Sequence, residues 1–394
     1  MLLLSIYEIY YENKVLKGRA MKDWVLEICT NRTELYIELW SRLIKKGISL
    51  QAFHFSKEEE GLPEPGSPFD KTYINSFLTY KNWNRLFFFY KEGKTFGSLR
   101  GFLKKQESLP SLVHAHTLFS DGYLAYRLNK EKGIPYIVAV RSTDYAYFFK
   151  YRFYLRGLGR KILDNASKII FLSPATRKMF LDKYISEDRR PGLMAKSLVV
   201  PNGIDPVFFE NPPEQAHKKP ESNKIKLLSV ATIMPQKNLL TACLAGQILI
   251  DGGYDIEYTI VGPVKNGDYA EKLRTFPFIK LIDKKSKKEL IDFYEANDLF
   301  ILPSHVETFG LVYAEAMSRG LPVLYTEGQG FDGQFEEGRA GFALNDNDPA
   351  QIAKTIVRAL EDYQARSRAC IDLAKKFDWD KITEEYIEVY KDFL

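Results

Sequence analysis

Two glutamates, Glu307 and Glu315, flank the start of a predicted helix, and Phe309, Gly310 and Leu311 lie between them. The first N–H groups of a helix have no partner inside it, and the helix dipole favours negative charge there. These three N–H groups would therefore bind an anion such as a diphosphate, and Gly310 would let it approach the backbone closely. Ionised carboxylates accept hydrogen bonds from sugar and ribose hydroxyls. The pattern indicates a site for a hydroxyl-rich anion.

In the first half of the chain, two histidines lie at the end of one predicted strand, and a polar loop follows the next predicted strand. His116 follows the strand Leu112–Ala115, and at a strand's carboxyl end we expect its ring to face the ligand cleft of a parallel sheet. His114 lies on the same face one layer deeper, and is alternatively a hydrogen-bonded core residue. Arg141 and Asp144 follow the next predicted strand in the same way and are candidates for the ligand cleft. Alternatively, they form only a capped turn.

The segment from Glu307 to Met317 resembles the signature of family-4 retaining glycosyltransferases, two glutamates separated by seven residues. That family has the GT-B fold and is common in bacterial polysaccharide biosynthesis. The resemblance implies that Glu315 binds the ribose hydroxyls of a nucleotide diphosphate sugar and that Glu307 binds the hydroxyls of the transferred sugar. It also implies that His116 contacts the transferred sugar.

The segment from Leu228 to Leu239 resembles the donor diphosphate loop of the same family, in which an Arg and a Lys five positions apart neutralise the leaving diphosphate. Lys237 matches the Lys, but Thr232 stands at the Arg position. As a hypothesis, Arg32 or Arg141 from the first domain supplies the missing cation when the domains close.

The acceptor is expected on the first domain. The loop Arg141–Asp144 resembles the family's His-Gly-Thr-Asp loop, with Arg and Ser replacing His and Gly, and Arg32 follows the first predicted strand. The segments 82–91 and 145–156 combine aromatic residues with Lys and Arg. Such a surface binds an anionic membrane or a lipid diphosphate acceptor. Alternatively, these are ordinary core aromatics with snorkelling lysines.

Alternating apolar strands and amphipathic helices predict an α/β protein with parallel sheets. With the resemblance, the expected class is GT-B: two Rossmann-like doubly wound domains that face a central cleft. We predict an acceptor-binding domain at 1–210, a Pro-rich linker at 211–223, a donor domain at 224–376 and a terminal helix at 377–394 that packs back across the hinge. We expect residues 1–20 to be an extension of the first domain. The predicted strands are 25–29, 112–115, 136–140, 168–172, 198–200, 226–231, 257–261, 278–282, 299–302 and 322–325.

Composition narrows the function class. A chain of 394 residues exceeds what one core usually serves, and its net charge of +5 is spread among acidic residues, so nucleic acid is not the expected partner. Three widely separated cysteines fit no metal or disulfide pattern and favour the reducing cytoplasm. The expected location is therefore the cytoplasm, and the basic aromatic segments extend it to the inner face of the cell membrane. We find no membrane-spanning run of about 20 apolar residues.

The resulting prediction is a retaining glycosyltransferase with no cofactor and no metal, because no Asp-x-Asp or His/Cys cluster with ligand spacing lies in a suitable loop. Its partners are a nucleotide-sugar donor, a carbohydrate or polyprenyl-linked acceptor and an anionic membrane surface. No carboxylate nucleophile is evident, so a front-face reaction is expected. The alternatives are a catalytically impaired nucleotide-sugar-binding protein and a nucleotide-sugar epimerase of the GT-B fold.

Overall fold

The computed structural model describes residues 23–31, 33–82, 87–218, 223–345 and 347–394. The chain forms two compact units: the first contains the chain up to Ile170 together with 185–198 and 383–394, and the second contains 171–184 and 199–382. This division differs from the predicted boundaries, because 171–184, 199–210 and the described part of the predicted linker belong to the second unit. The predicted terminal helix is shared, with Thr383 as its first residue in the first unit.

Each unit is built on one sheet. The first has seven strands in the order β3-β2-β1-β4-β5-β6-β7 and the second has six in the order β10-β9-β8-β11-β12-β13, with parallel pairing throughout the second sheet and from β3 to β6 in the first. Both orders are those of doubly wound sheets. The strands are β1 Val25–Cys29, β2 Leu50–Lys57, β3 Ile74–Tyr80, β4 Leu112–Ala115, β5 Tyr136–Ala139, β6 Lys168–Phe171, β7 Ser197–Val199, β8 Lys224–Val230, β9 Asp255–Val261, β10 Ile279–Ile282, β11 Leu299–Leu302, β12 Val323–Thr326 and β13 Gly341–Leu344.

Helices connect the strands in both units. They are α1 Glu34–Lys45, α2 Phe88–Leu103, α3 Ser120–Lys132, α4 Arg156–Asn165, α5 Pro174–Tyr184, α6 Arg190–Ala195, α7 Leu239–Asp251, α8 Gly267–Arg274, α9 Lys287–Ala296, α10 Leu311–Ser318, α11 Pro349–Ala359, α12 Tyr363–Ala374 and α13 Trp379–Lys391. Among the helices that the structure describes, none combines the length and the apolar composition needed to cross a membrane.

The predicted fold class is confirmed: each unit is a Rossmann-like parallel α/β domain. Every predicted strand is present within about two residues of its predicted ends, and β2, β3 and β13 are additional. The central strand β11 shows why strands could be predicted from the sequence: all four of its residues are apolar and buried. Helix α1 begins at Glu34, because the Thr33 side chain accepts a hydrogen bond from the Leu35 N–H and so caps the helix.

Candidate active site

Lys237 and Glu307 meet in the second unit. Lys237 ends a single 3-10 turn after β8, and Glu307 lies in the loop after β11, the strand that pairs with β8. Because parallel neighbours end at the same sheet edge, these two loops come together. The Lys237 Nζ lies 2.8 Å from Glu307 Oε2, and the His305 N–H donates to the Gln236 carbonyl (3.1 Å). The structure thus joins two residues that the sequence placed in separate motifs.

Helix α10 begins directly after Glu307. Its N-cap is Gly310, in the left-handed region at φ +79°, and a Cβ there would clash with the Tyr313 ring. Within the described part of the chain, the N–H groups of Phe309, Gly310 and Leu311 make no hydrogen bond. Phe309 is buried, and Leu311 is half-buried against the core of the second unit. This geometry has the form of an anion-binding helix start, with Gly310 fixed by sterics.

A glycine-rich loop after β12 holds the Glu307 backbone in place. The Gln329 side-chain oxygen accepts from the Glu307 N–H (3.0 Å), and the Gly330 N–H donates to the Glu307 carbonyl (3.1 Å). A side chain at Gly330 would collide with the Thr308 backbone. Sequence reasoning missed Gln329 and Gly330 as site residues, because the only signal was the density of glycines in that loop.

Glu315 lies one turn into α10 and is half-buried. Its Oε2 accepts a hydrogen bond from the Tyr294 hydroxyl (2.9 Å), and burial raises the pKa of its carboxyl to about 7. Thr232 is half-buried in the same loop as Lys237, between β8 and the 3-10 turn. All the predicted donor-binding residues are therefore in the second unit, on α10 and the loops after β8 and β11.

The histidines of β4 are placed differently from the prediction. His116 is fully buried: its Nε2 donates to Glu27 Oε2 (2.7 Å), and the Tyr36 and Trp40 rings pack on it with centroids at 4.1 and 5.7 Å. The expectation that this ring faces an open cleft is therefore wrong. The reason is that α1, which lies far from β4 in sequence, covers the ring with two large aromatic side chains.

His114 belongs to the same buried network, as expected from the alternative that it is a hydrogen-bonded core residue. Its Nδ1 lies 2.7 Å from the Tyr390 Oη and 3.2 Å from Glu27 Oε2, and the Tyr390 hydroxyl donates to Glu27 Oε1 (2.9 Å). Burial lowers the pKa of His116 to about 3. Burial alone would raise the pKa of Glu27, but the attraction of His114 and the hydrogen bonds from both histidines hold it well below its usual range.

Glu27, His114 and His116 are also the one group in the described chain whose side chains could together hold a metal ion. Their closest nitrogen–oxygen separations, 2.7 and 3.2 Å, are those of hydrogen bonds, and Tyr390 supplies the further partner of the carboxylate. The arrangement is that of a hydrogen-bonded polar network within the core, in which His114 Nε2 and His116 Nδ1 have no hydrogen-bond partner among the described residues.

The predicted acceptor-side residues meet at the ends of β4 and β5. Asp144 accepts from the N–H groups of Arg141 (2.8 Å), Leu118 (3.0 Å) and Phe119 (3.2 Å), so it caps the turn and ties two loops together. Burial raises the pKa of Asp144 to about 6. The Arg141 Nε donates to the His116 carbonyl (3.2 Å), while its Nη1 is buried without a hydrogen-bond partner. Arg32 and residues 1–20 lie outside the described residues.

A cavity of about 500 Å³ opens beside Asp144 in the first unit. Thr30 and Asn31 line it after β1, and Thr117 and Ser120 line it after β4. Strand ends of a doubly wound sheet thus carry a polar pocket in this unit as well.

Comparison with known proteins gives matches along both halves of the chain. The family model for glycosyltransferase family 4 matches residues 36–208, and the model for glycosyl transferases group 1 matches residues 211–377. An uncharacterized glycosyltransferase of Methanocaldococcus jannaschii is 25% identical over 301 residues, which cover 71% of this chain and 75% of the relative. The D-inositol 3-phosphate glycosyltransferase of Thermobispora bispora is 25% identical over 310 residues, 72% of this chain and 71% of the relative.

The same fold is found among solved structures. The crystal structure of the Anabaena protein HepE in complex with UDP aligns with a TM-score of 0.66 at 16% identity, covering 94% of this chain and 100% of the other. At that identity the likeness speaks for the fold alone. With two Rossmann-like units, and one family model matching most of each half, the chain belongs to the glycosyltransferases of the GT-B fold.

Proposed function

We propose that this protein transfers a sugar from a nucleotide diphosphate sugar to a carbohydrate or lipid-linked acceptor, with retention of configuration at the anomeric carbon and without a metal ion. The observation that carries the proposal is the convergence of Lys237, Glu307 and the start of α10 in the second unit, with the Lys237 Nζ 2.8 Å from Glu307 Oε2. The Anabaena protein of the same fold was crystallised with UDP, which supports a nucleotide donor.

The donor diphosphate fits the N–H groups of Phe309, Gly310 and Leu311 together with the Lys237 ammonium. Without a donor, Lys237 is neutralised by Glu307. With a donor bound, the ammonium turns to the diphosphate, and the freed Glu307 carboxylate accepts hydrogen bonds from the hydroxyls of the sugar. The Glu315 carboxylate serves the ribose hydroxyls in the same way. One ion pair therefore keeps both charged groups in place until the substrate separates them.

In the proposed reaction the acceptor oxygen bonds to the anomeric carbon as the bond from that carbon to the β-phosphate oxygen breaks. The acceptor proton passes to the departing phosphate on the same face, so the configuration is retained. The growing charge on the diphosphate is stabilised by Lys237 and the start of α10. Thr232 supplies no cation, so Arg32 or Arg141 remains the proposed second positive group.

Three measurements test the proposal. Thermal shifts with uridine, guanosine and adenosine diphosphate sugars should identify one donor that raises Tm, and NMR of the product should show a retained anomeric configuration. Turnover should survive EDTA. An inverted product or complete loss of turnover in EDTA would overturn the mechanism, and no shift with any donor would overturn donor binding.

The second cation has its own test. Arg141→Ala and, separately, Arg32→Ala should each be assayed for turnover of the donor so identified. A fall in kcat of about tenfold or more in one of them identifies the group that replaces the missing Arg. Unchanged turnover in both would remove these arginines from the mechanism.

We place this reaction in surface polysaccharide or glycoconjugate synthesis on the cytoplasmic side of the cell membrane. Membership of the glycosyltransferases does not favour the alternatives of an impaired binding protein or an epimerase. Release of free sugar from the donor in the absence of acceptor is the discriminating assay. An impaired protein releases none, and an epimerase converts the donor instead.

A further inference from the structure

The first unit carries an exposed aromatic face. Every exposed aromatic residue in the described chain lies at the start of α2 or between β5 and α4, and Phe153 is the most exposed at 72%. This aromatic face consists of Phe87, Phe89, Tyr90, Tyr147, Tyr151, Phe153 and Tyr154. Soluble proteins rarely leave so many large aromatic side chains together in water, so the cluster indicates a binding surface.

The two stretches form one surface because buried residues hold them together. The Phe88 ring packs on the Phe148 ring (centroids 6.1 Å apart), and Phe149 and Leu155 are buried beneath. The core alternative from the sequence therefore holds for these buried residues only. Residues 83–86 of the first aromatic segment lie outside the described residues.

The aromatic face is positively charged. Between Tyr145 and Leu163 the chain has five basic residues and no acidic one. The Lys94 Nζ lies over the Tyr90 ring at 5.6 Å and the Lys150 Nζ over the Tyr151 ring at 5.0 Å, while Glu92, the acidic residue near the start of α2, is buried. The basic residues are Lys150, Arg152, Arg156, Arg160 and Lys161. This charge complements an anionic bilayer, whose headgroup region also favours Tyr and Phe side chains.

The cavity beside Asp144 opens at the aromatic face. Tyr147 and Tyr154 line the cavity and belong to the face, and Arg152 joins them by donating to both hydroxyls (2.8 and 2.9 Å). The deeper wall is polar, with Ser120 accepting a hydrogen bond from the buried Lys91 ammonium (3.1 Å). The cavity therefore has a polar floor and an aromatic rim, which matches a molecule with a polar head and a hydrocarbon chain.

We propose that the first unit docks on an anionic lipid bilayer through the aromatic face, and that the adjoining cavity receives the hydroxyl-bearing head of an acceptor that stays anchored in that bilayer. The inference rests on the proposed glycosyl transfer and selects a lipid-linked acceptor over a free carbohydrate. A free sugar would leave the aromatic rim in water, whereas a lipid-linked one covers it with its chain.

Docking is tested by flotation with vesicles of phosphatidylcholine alone or mixed with phosphatidylglycerol. The full chain should float with the anionic vesicles and stay behind with the neutral ones. Phe153→Ser and Lys150→Glu should each weaken binding by about tenfold. The matched controls are Ile248→Ser and Lys272→Glu, exposed residues of the second unit, which should float like the unchanged protein. No binding to anionic vesicles, or equal losses in the controls, would overturn docking.

The acceptor class is tested with two soluble probes, methyl glucoside and octyl glucoside below its micelle concentration. Calorimetry should show that octyl glucoside binds at least about tenfold more tightly, because its chain covers the aromatic rim. Tyr154→Ser should remove most of that gain. Equal affinity for the two probes, or a gain that survives the substitution, would overturn the lipid-linked acceptor.

Neither test uses the donor. A protein that shows the donor thermal shift but fails flotation and probe binding keeps the proposed function and loses this inference. A protein that floats with anionic vesicles and binds octyl glucoside, but shows no donor thermal shift, keeps membrane docking and lipid binding and loses the proposed donor binding.

Discussion

Both units have polar residues at or near the ends of their strands, but the role of these residues differs between the two units. In the second unit the charged pair Lys237 and Glu307 lies in loops, next to helix N–H groups that have no partner among the described residues. In the first unit Glu27 and His116 lie inside the core, with their mutual hydrogen bond covered by aromatic rings. The same fold thus has a site prepared for a ligand in one unit and, in the other, a buried network whose members hydrogen-bond to one another. The difference predicts that substitutions in the second unit reduce catalysis and those in the network reduce stability.

The strongest test of this comparison is Glu307→Gln. We expect kcat to fall about a hundredfold, because the amide neither pairs with Lys237 nor accepts as strongly from sugar hydroxyls. Steady-state kinetics with the identified donor measures this, with Tm as a check on folding. Glu271→Gln, which breaks an exposed ion pair with Arg274 in the same unit, is the matched control and should leave kcat unchanged. Equal kcat in the two variants would show that Glu307 does not act on the donor.

Gly310→Ala tests the start of α10. We expect the free energy of unfolding of the second unit to drop by about 2 kcal/mol, since a Cβ at φ +79° is strained and meets the Tyr313 ring. The control is Gly253→Ala, whose φ is +91° but whose Cβ would meet nothing within 4 Å, so only the backbone strain of about 1 kcal/mol applies. Thermal unfolding compares them. If Gly310→Ala costs no more than its control, the close packing at the helix start is not what requires glycine.

Tyr390→Phe tests the network of the first unit. Removing the hydroxyl takes a hydrogen bond from Glu27 and from His114, both buried, so we expect a loss of about 1.5 kcal/mol in stability. Donor affinity, measured by calorimetry, should not change, since the donor residues are in the second unit. A weaker donor affinity at unchanged Tm would mean that the network contributes to the site, and would break the comparison.

The smallest expected effect is a pH dependence of donor affinity. The Glu315 carboxyl, with its pKa raised to about 7 by burial, is mostly protonated at pH 6 and mostly ionised at pH 8. Ribose hydroxyls donate to the ionised form, so affinity for the sugar nucleotide should rise by about five- to tenfold over this range. In Glu315→Gln the affinity should be the same at both values. A flat profile in the unchanged protein would remove Glu315 from ribose binding.

Much of the fold could be predicted because central strands such as β11 are continuous apolar runs. The strand β2 could not, since it buries His54 and Ser56, and the His54 Nδ1 finds its partner in Ser76 of β3 (3.1 Å). A single sequence does not show which polar residues are satisfied by a neighbouring strand. The pairing of β2 with β3 supplies that partner for His54.

The residues of the candidate site differ in the same respect: some could be predicted from local sequence, and others depend on distant parts of the chain. The loop around Gly310 was readable because its chemistry is local, with strand, loop and helix start within about 20 residues. The burial of His116 was not, since Tyr36, Trp40 and Glu27 come from elements about 75 to 90 residues away. Local motifs thus located the donor residues, whereas the state of the histidines depended on distant packing.

Tyr390 donates to a glutamate 363 positions earlier, and residues from Thr383 onward belong to the first unit. A ribosome making this protein therefore synthesises nearly all of the second unit before it supplies the last helical turns of the first. Until then Glu27 and His114 lack the Tyr390 hydroxyl as a partner, and the nascent first unit exposes part of its polar core. The second unit can mature ahead of the first, and a message truncated before Thr383 would yield a protein whose first unit lacks these helical turns.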